Sequence, residues 1–314
     1  MPKRRLIFAA ALAAAVLAPS ARADGGPSPG VSQGWNGVAD NAGGVRFVAL
    51  PVDRGRWTVV ARIKLNGGTV LNSGTLRGSY GMPGLTWNGE VGGLSPNGRV
   101  LVVGEAATGL TVLRSVSRFA VLATRTLRTR LRIALRGDFS FDALSPDGRT
   151  LFLIEHTSSR DLQRYRVRAY DLADRRLLPN AIVDRTEPNM RGLPIARTST
   201  RTGAWVYTLY QGDEPFVHAL DTVHGRAVCL DLPWHGGRNS IYQMHIALRD
   251  GGGQLAVLNR HGQTEATLNL RPAGRGSAAA TWAAAVLSGA GLAATAVFLW
   301  RRAFHRRPGS NTER

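Results

Sequence analysis

Apolar and polar positions alternate over most of this chain. Val45–Leu50, Trp57–Ile63, Arg99–Val103, Thr150–Ile154, Tyr165–Tyr170 and Leu255–Leu258 are short runs of this kind, separated by Gly, Asn and Asp. A period of two sends successive side chains to opposite faces, so each run predicts a half-buried β-strand. No long amphipathic helix is predicted between residues 40 and 270.

The two ends follow a different pattern. Lys3, Arg4 and Arg5 precede an uncharged stretch from Leu6 to Ala18, which leads into Pro19-Ser20-Ala21-Arg22-Ala23. That order is a secretory signal cut after Ala23, by either the general or the twin-arginine route. A span of 13 residues covers only about 20 Å, too little for the ~30 Å bilayer core. Ala278–Trp300 has 23 residues without a charged side chain. At 1.5 Å per residue it covers about 34 Å and predicts a transmembrane helix. Trp282 and Trp300 stand near its ends, and Arg301, Arg302, Arg306 and Arg307 follow on the predicted cytoplasmic side. Gly289–Ala294 spells a dinucleotide-binding pattern, but it has no preceding strand and lies inside this apolar stretch.

The predicted strands repeat. Leu94-Ser-Pro-Asn-Gly-Arg-Val-Leu-Val-Val103 returns as Leu144-Ser-Pro-Asp-Gly-Arg-Thr-Leu-Phe-Leu153, with fainter copies at 40–48, 198–207 and 248–257. Aligned on Gly44, Gly98, Gly148, Gly203 and Gly253, the copies recur every 50 to 55 residues. Each copy is strand, Gly-containing turn, strand. A second hairpin lies between copies, as in 165–178 and 216–230. Two hairpins per period make a four-stranded antiparallel blade, and a series of blades makes an all-β propeller. Five blades are expected, with four or six left open. The fifth copy keeps only Thr264–Leu270 after its hairpin, so a strand from the N-terminal segment is expected to complete it and remove a free edge.

The Leu-Ser-Pro-Asp-Gly-Arg-Thr-Leu motif, followed by a Val-x-Ala-Tyr-Asp-Leu type of hairpin, resembles bacterial WD-like and YVTN-type propellers over residues 40–270. The Trp-Asp ending of true WD repeats is absent. The resemblance implies the fold; propellers host enzymes and binding platforms alike. The predicted organisation is a signal peptide at 1–23, a linker and N-terminal segment at 24–39 and a propeller at 40–270. A linker at 271–277, a transmembrane helix at 278–300 and a cytoplasmic tail at 301–314 complete it. Residues 24–34 are expected to be flexible.

Charge then needs a place. The chain has 40 Lys+Arg against 21 Asp+Glu, a net +19, and its only lysines are Lys3 and Lys64. The signal segment accounts for +4 of this, residues 271–314 for +6, and residues 24–270 for +9. About half the charge therefore belongs to targeting and topology, and nucleic acid is not expected as a partner outside the cell. Arg128, Arg130, Arg132 and Arg136 alternate with apolar residues, as do Arg164, Arg166 and Arg168. Two solvated outer strands account for this pattern. A sharper reading is a basic ridge over adjacent blades, attracting anionic lipid headgroups or surface polymers.

Candidate chemistry is sparse. His156, His218, His224, His235, His245, His261 and His305 form no metal-binding spacing. Ser95 and Ser145 fit turn entries better than nucleophile elbows. Cys229, the single cysteine, lies in an apolar run that predicts a buried, inert thiol. Glu90, Glu105, Glu155 and Asn189 are the side chains that could contribute to a lactonase-like metal ring on the channel. No catalytic, cofactor or metal residue is assigned, and no cofactor is expected. The sequence therefore points to a membrane-tethered, extracytoplasmic, non-catalytic binding or interaction module. Its ligand and oligomeric state are open, its partner a protein or an anionic surface polymer. A lactonase-like hydrolase and a sensor ectodomain working with a membrane partner are the alternatives. For a binding module, Trp87, Trp205 or Trp234 is expected at the channel mouth.

Overall fold

The computed structural model describes residues 30–107, 113–236 and 240–270. The predicted signal segment, transmembrane helix and tail lie outside them. Among the described residues no helix is long and apolar enough to cross a membrane.

Twenty strands and two 3₁₀ turns, Ser240–Gln243 and Asp250–Gly252, make up the described chain. Val31–Ser32 (β1) precedes a first sheet of Gly34–Ala39 (β2), Val45–Val52 (β3), Trp57–Lys64 (β4) and Val70–Arg77 (β5). Tyr80–Pro83 (β6), Val100–Glu105 (β7), Val116–Ala123 (β8) and Thr129–Arg136 (β9) form the second. Asp138–Leu144 (β10), Thr150–His156 (β11), Tyr165–Asp171 (β12) and Arg176–Ile182 (β13) form the third. Leu193–Ser199 (β14), Trp205–Gln211 (β15), Phe216–Asp221 (β16) and Arg226–Asp231 (β17) form the fourth. The fifth holds His245–Arg249 (β18), Gln254–Leu258 (β19) and Thr264–Asn269 (β20). Every strand pair is antiparallel, and each sheet runs in chain order from its first strand outward.

Apolar faces join these sheets in series. Phe47, Val60 and Leu76 of the first share a core with Leu101, Val103 and Leu122 of the second. Val102 and Phe119 then meet Phe139, Leu151 and Leu153 of the third. Val167 and Phe152 meet Val206 and Leu220 of the fourth, and Ile195 and Leu209 meet Leu255 and Leu268 of the fifth. Sheets that bury both faces against successive neighbours are propeller blades. The chain is a β-propeller.

The repeated turn has a shared cause. The amide N–H groups of Arg99 and Val100 donate to Ser95 Oγ, and Ser95 Oγ lies 2.7 Å from Asn97 Oδ1. Arg149, Thr150, Ser145 and Asp147 repeat that network one blade later. Thr200 accepts from Trp205 N–H, and Asp40 from Gly44 and Val45. Three residues after each entry position stands a glycine at positive φ: Gly43, Gly98, Gly148 and Gly203. An L side chain is disfavoured in that region, which is why glycine marks the repeat. The first anchor is therefore Gly43 rather than Gly44. In blade 5 the entry pair Arg249–Gln254 makes Gly252, at φ 97°, the equivalent of the expected Gly253.

The N-terminal segment behaves differently from expectation. Val31 and Ser32 form a strand within the predicted flexible linker and pair with Pro83 and Met82 of β6, on the inner edge of blade 2. Blade 5 keeps three strands among the described residues. Gly81 explains the choice of edge: a Cβ there would fall 2.6 Å from Ser32 O, so only glycine lets the two backbones approach.

Candidate functional site

The inner strands β6, β10 and β14 bring residues from three blades towards one another. Between β6 and β7 the chain makes a long excursion held by bridges Gly84–Val91 and Leu94–Leu101. At its tip the Trp87 N–H donates to Pro194 O on β14 at 2.7 Å, and Asn88 Nδ2 donates to Met244 O beside β18 at 3.3 Å. Residues 84–94 thus reach from blade 2 to the inner edges of blades 4 and 5. Glu90 is carried by the same excursion.

Beneath it lies a buried ion pair. Arg197 Nη1 of β14 donates to Asp142 Oδ1 of β10 at 2.6 Å, and Nη2 to Asp142 O at 2.8 Å. The side chains are 10% and 7% exposed, respectively. The backbone N–H of Arg197 faces Glu90 Oε1 at 3.4 Å. Burial raises the Glu90 carboxyl above its ordinary range, with Arg197 and then His245 opposing the rise. Ser140, Asp142, His156, Tyr165, Arg197 and Tyr210 help to line a cavity of about 20 Å³ here. That volume admits a water molecule and no organic substrate.

A second buried carboxylate sits at the start of β10. Asp138 Oδ1 accepts from Arg114 Nη2 at 2.8 Å, Oδ2 accepts from the Arg114 N–H at 2.8 Å, and His156 Nδ1 stands 3.4 Å away. Burial acts to raise the Asp138 pKa, but the His156 and Arg114 contacts outweigh it and hold the carboxyl well below the usual range.

Aromatic rings fill the blade 3–blade 4 junction. Tyr165 stacks on Tyr210 at 4.9 Å, and Tyr210 on Phe216 at 5.3 Å. Tyr165 Oη lies 3.3 Å from His218 Nδ1. Burial pushes the His218 imidazole down to about 4, so it is neutral near pH 7. Cys229 faces His218 across the β16–β17 ladder, and burial pushes its thiol up to about 12. A thiol that remains protonated is a poor nucleophile.

The sequence candidates for a metal ring do not converge. Glu105 pairs with Arg118 at 3.1 Å. Glu155 on β11 accepts from Arg166 and Arg168, each at 2.7 Å, and Asn189 is exposed in the loop before β14. Glu105 and Glu155 lie opposite Tyr80 of β6 and Phe139 of β10 but are taken up by arginines, whereas Glu90 faces Arg197 of β14. Among the described residues no three or more His, Cys, Asp or Glu gather as metal ligands. Ser95 and Ser145 are turn entries, as expected. His224 pairs with Asp221 at 2.7 Å and His261 accepts from Arg260 at 3.0 Å, both within turns. His245 is an exposed strand-end residue, in contrast to His218.

The arginine stripes part company. β9 is an outer strand with Arg130, Arg132 and Arg136 exposed. β12 is the third strand of its blade. Its Arg166 and Arg168 close on Glu155, and Arg168 Nη2 also donates to Leu178 O at 2.8 Å. Alternation identifies a face but not a strand's place in the sheet, so no ridge extends over both blades. The tryptophans also separate. Trp87 lies beside Pro194 near the start of β14, whereas Trp205 follows the turn at that strand's far end. Trp87 is 41% exposed. Arg197, Asp142, Asp138 and Arg114 escaped the sequence reading because no local motif marks a contact between blades.

No protein-family model matches the chain, and no curated protein matches it. Among solved structures it is similar to the β-propeller domain of Cps50 (Swd1) from Myceliophteria thermophila, at 11% identity and TM-score 0.45. That match covers 85% of this chain and 72% of that one. TolB from Acinetobacter baumannii matches at 13% identity and TM-score 0.41, over 71% of this chain and 51% of that one. Hydrazine synthase from Kuenenia stuttgartiensis matches at 15% identity and TM-score 0.38, over 74% and 75% of the two chains. Likeness this distant carries no argument about function.

Proposed function

We propose that this chain is a membrane-tethered, extracytoplasmic β-propeller that works as a non-catalytic binding module. The observation that carries the reading is the excursion 84–94. Its Trp87 and Asn88 bond to the inner edges of blades 4 and 5, over a polar cluster whose cavity is water-sized. Asp142 and Arg197 are almost buried beside that segment, whereas Trp87 at its tip offers an exposed aromatic surface. Tethering rests on the apolar stretch Ala278–Trp300 and the arginines after it, and export rests on residues 1–23.

The test has two arms. Carbonate extraction and protease access from either side of the membrane should leave the chain membrane-bound, with the propeller cleaved only from outside. A photo-crosslinker at position 87 should trap one defined partner that the same probe at exposed Arg54 does not. Soluble chain, or identical adducts from both positions, would refute the reading.

A hydrolase reading rests on Glu90 alone, whose raised pKa suits a general acid. Turnover on a lactone and ester panel that disappears in Glu90→Gln would favour it.

A further inference from the structure

The rim of blade 2 carries an arginine row that the axial site does not use. β9 is the outermost strand of its sheet, and Arg130, Arg132 and Arg136 are exposed on it. The register pairs Arg132 with Ala120, Ala134 with Arg118 and Arg136 with Val116, so Arg132 and Arg136 share one sheet face, and Arg130 stands exposed at the bulge beside them. Ala120 and Leu122 on that face belong to the core shared with blade 1. The arginines therefore line the wall of the cleft between blades 1 and 2.

Their side chains lie along this wall. Arg132 Nη1 donates to Tyr80 Oη at 3.4 Å, and Tyr80 belongs to β6, three strands further in. Arg118 pairs with Glu105 at 3.1 Å. Among the described residues, Arg130, Arg132 and Arg136 have no carboxylate within ion-pair distance. At the other end the cleft is pinched, since a Cβ on Gly74 of β5 would lie 2.5 Å from Leu127 O.

We propose that this wall binds a linear phosphate-bearing polymer; the inference rests on the binding-module reading and names its ligand class. Guanidinium groups donate paired hydrogen bonds to phosphate oxygens. Arg132 and Arg136 stand about 13 Å apart along the strand, with Arg118 opposite Ala134 between them, and this run of donors is one that an extended chain of phosphates can follow. A flat bilayer reaches only the outer tips of such a wall, which is why a polymer fits it better than a membrane.

The probe is fluorescent inorganic polyphosphate, measured by anisotropy against the full chain in neutral detergent over a range of salt. Combined Arg130→Gln, Arg132→Gln and Arg136→Gln should weaken binding at least tenfold. The log–log salt slope should fall by about 2, roughly 0.7 for each of the three lost contacts. A control with Arg99→Gln, Arg185→Gln and Arg201→Gln, which removes the same charge from exposed sites elsewhere, should bind within twofold of wild type. Equal losses in both triples would mean diffuse attraction by net charge and overturn the site. No binding by wild type, no loss in the β9 triple, or tighter binding to phosphatidylglycerol vesicles would also overturn it. Should the triple fail to fold, as read by its melting curve, Arg136→Gln alone must weaken binding two- to threefold. No polyphosphate binding by wild type with the position-87 crosslink intact means failure here alone, whereas loss of the crosslink means failure of the module reading.

Discussion

Arg197 and Asp142 meet across the blade 3–blade 4 junction through two hydrogen bonds, one to the carboxylate and one to its own backbone carbonyl. Both side chains are almost inaccessible, so removing one strands a buried charge. Arg197→Leu should cost about 3–5 kcal/mol, whereas Arg197→Leu with Asp142→Leu should recover most of it. Urea unfolding of the two variants checks this. A double variant as weak as the single one would mean that the pair is worth more than its desolvation.

Acid should destabilise the propeller in two stages. His218 has a folded pKa near 4 against 6.5 when free, so the unfolded chain binds the proton more readily. Its contribution is present above pH 6.5 and lost as pH falls from 6.5 towards 4, about 3 kcal/mol in all. Asp138, whose folded pKa is depressed, contributes stability above the ordinary carboxylate range that is lost as pH falls below it. His218→Phe should flatten the first stage and leave the second. A melting-temperature series from pH 8 to pH 3 resolves both.

Local chemistry was legible in the sequence and long-range pairing was not. The Ser-Pro-Asn/Asp-Gly turns announced themselves because one hydroxyl, one amide or carboxylate side chain and one left-handed glycine satisfy them within six residues. Glu155 sits opposite Arg166 in register, yet that neighbour is visible only once β11 and β12 are paired. The Trp87–Pro194 contact spans three blades and leaves no periodic trace. Glu90 was found because carboxylates are few; Asp142 was not, being one alternate position in an apolar strand.

A device that no motif revealed links successive blades. Thr58 Oγ1 on β4 donates to Gly78 O and accepts from the Tyr80 N–H, at 2.7 and 2.8 Å. Ser117 Oγ on β8 does the same for Gly137 O and the Phe139 N–H, at 2.9 and 2.8 Å. Each hydroxyl ties the end of an outer strand to the beginning of the next inner strand. Thr58→Val and Ser117→Ala each leave two buried backbone groups without that partner and should cost about 1–3 kcal/mol. The costs should add within about 0.5 kcal/mol, because the junctions share no partner. Chemical denaturation of the two single variants and the double checks both points.

Cys229 gives a direct reading of whether blade 4 stays closed. Its backbone N–H donates to Asp184 Oδ2 at 2.8 Å, its side chain packs against the blade 3–blade 4 core, and burial holds the thiol protonated. Ordinary thiols near pKa 8.5 are substantially ionised at pH 8, whereas a group near 12 is ionised to roughly one part in ten thousand. Native protein at pH 8 should therefore react with a disulfide reagent far more slowly than the same chain in denaturant, by at least a hundredfold. Arg197→Leu should speed the native reaction, because it loosens the junction that buries the thiol. Fast labelling of the wild type would show that the outer strand of blade 4 opens on the timescale of the assay.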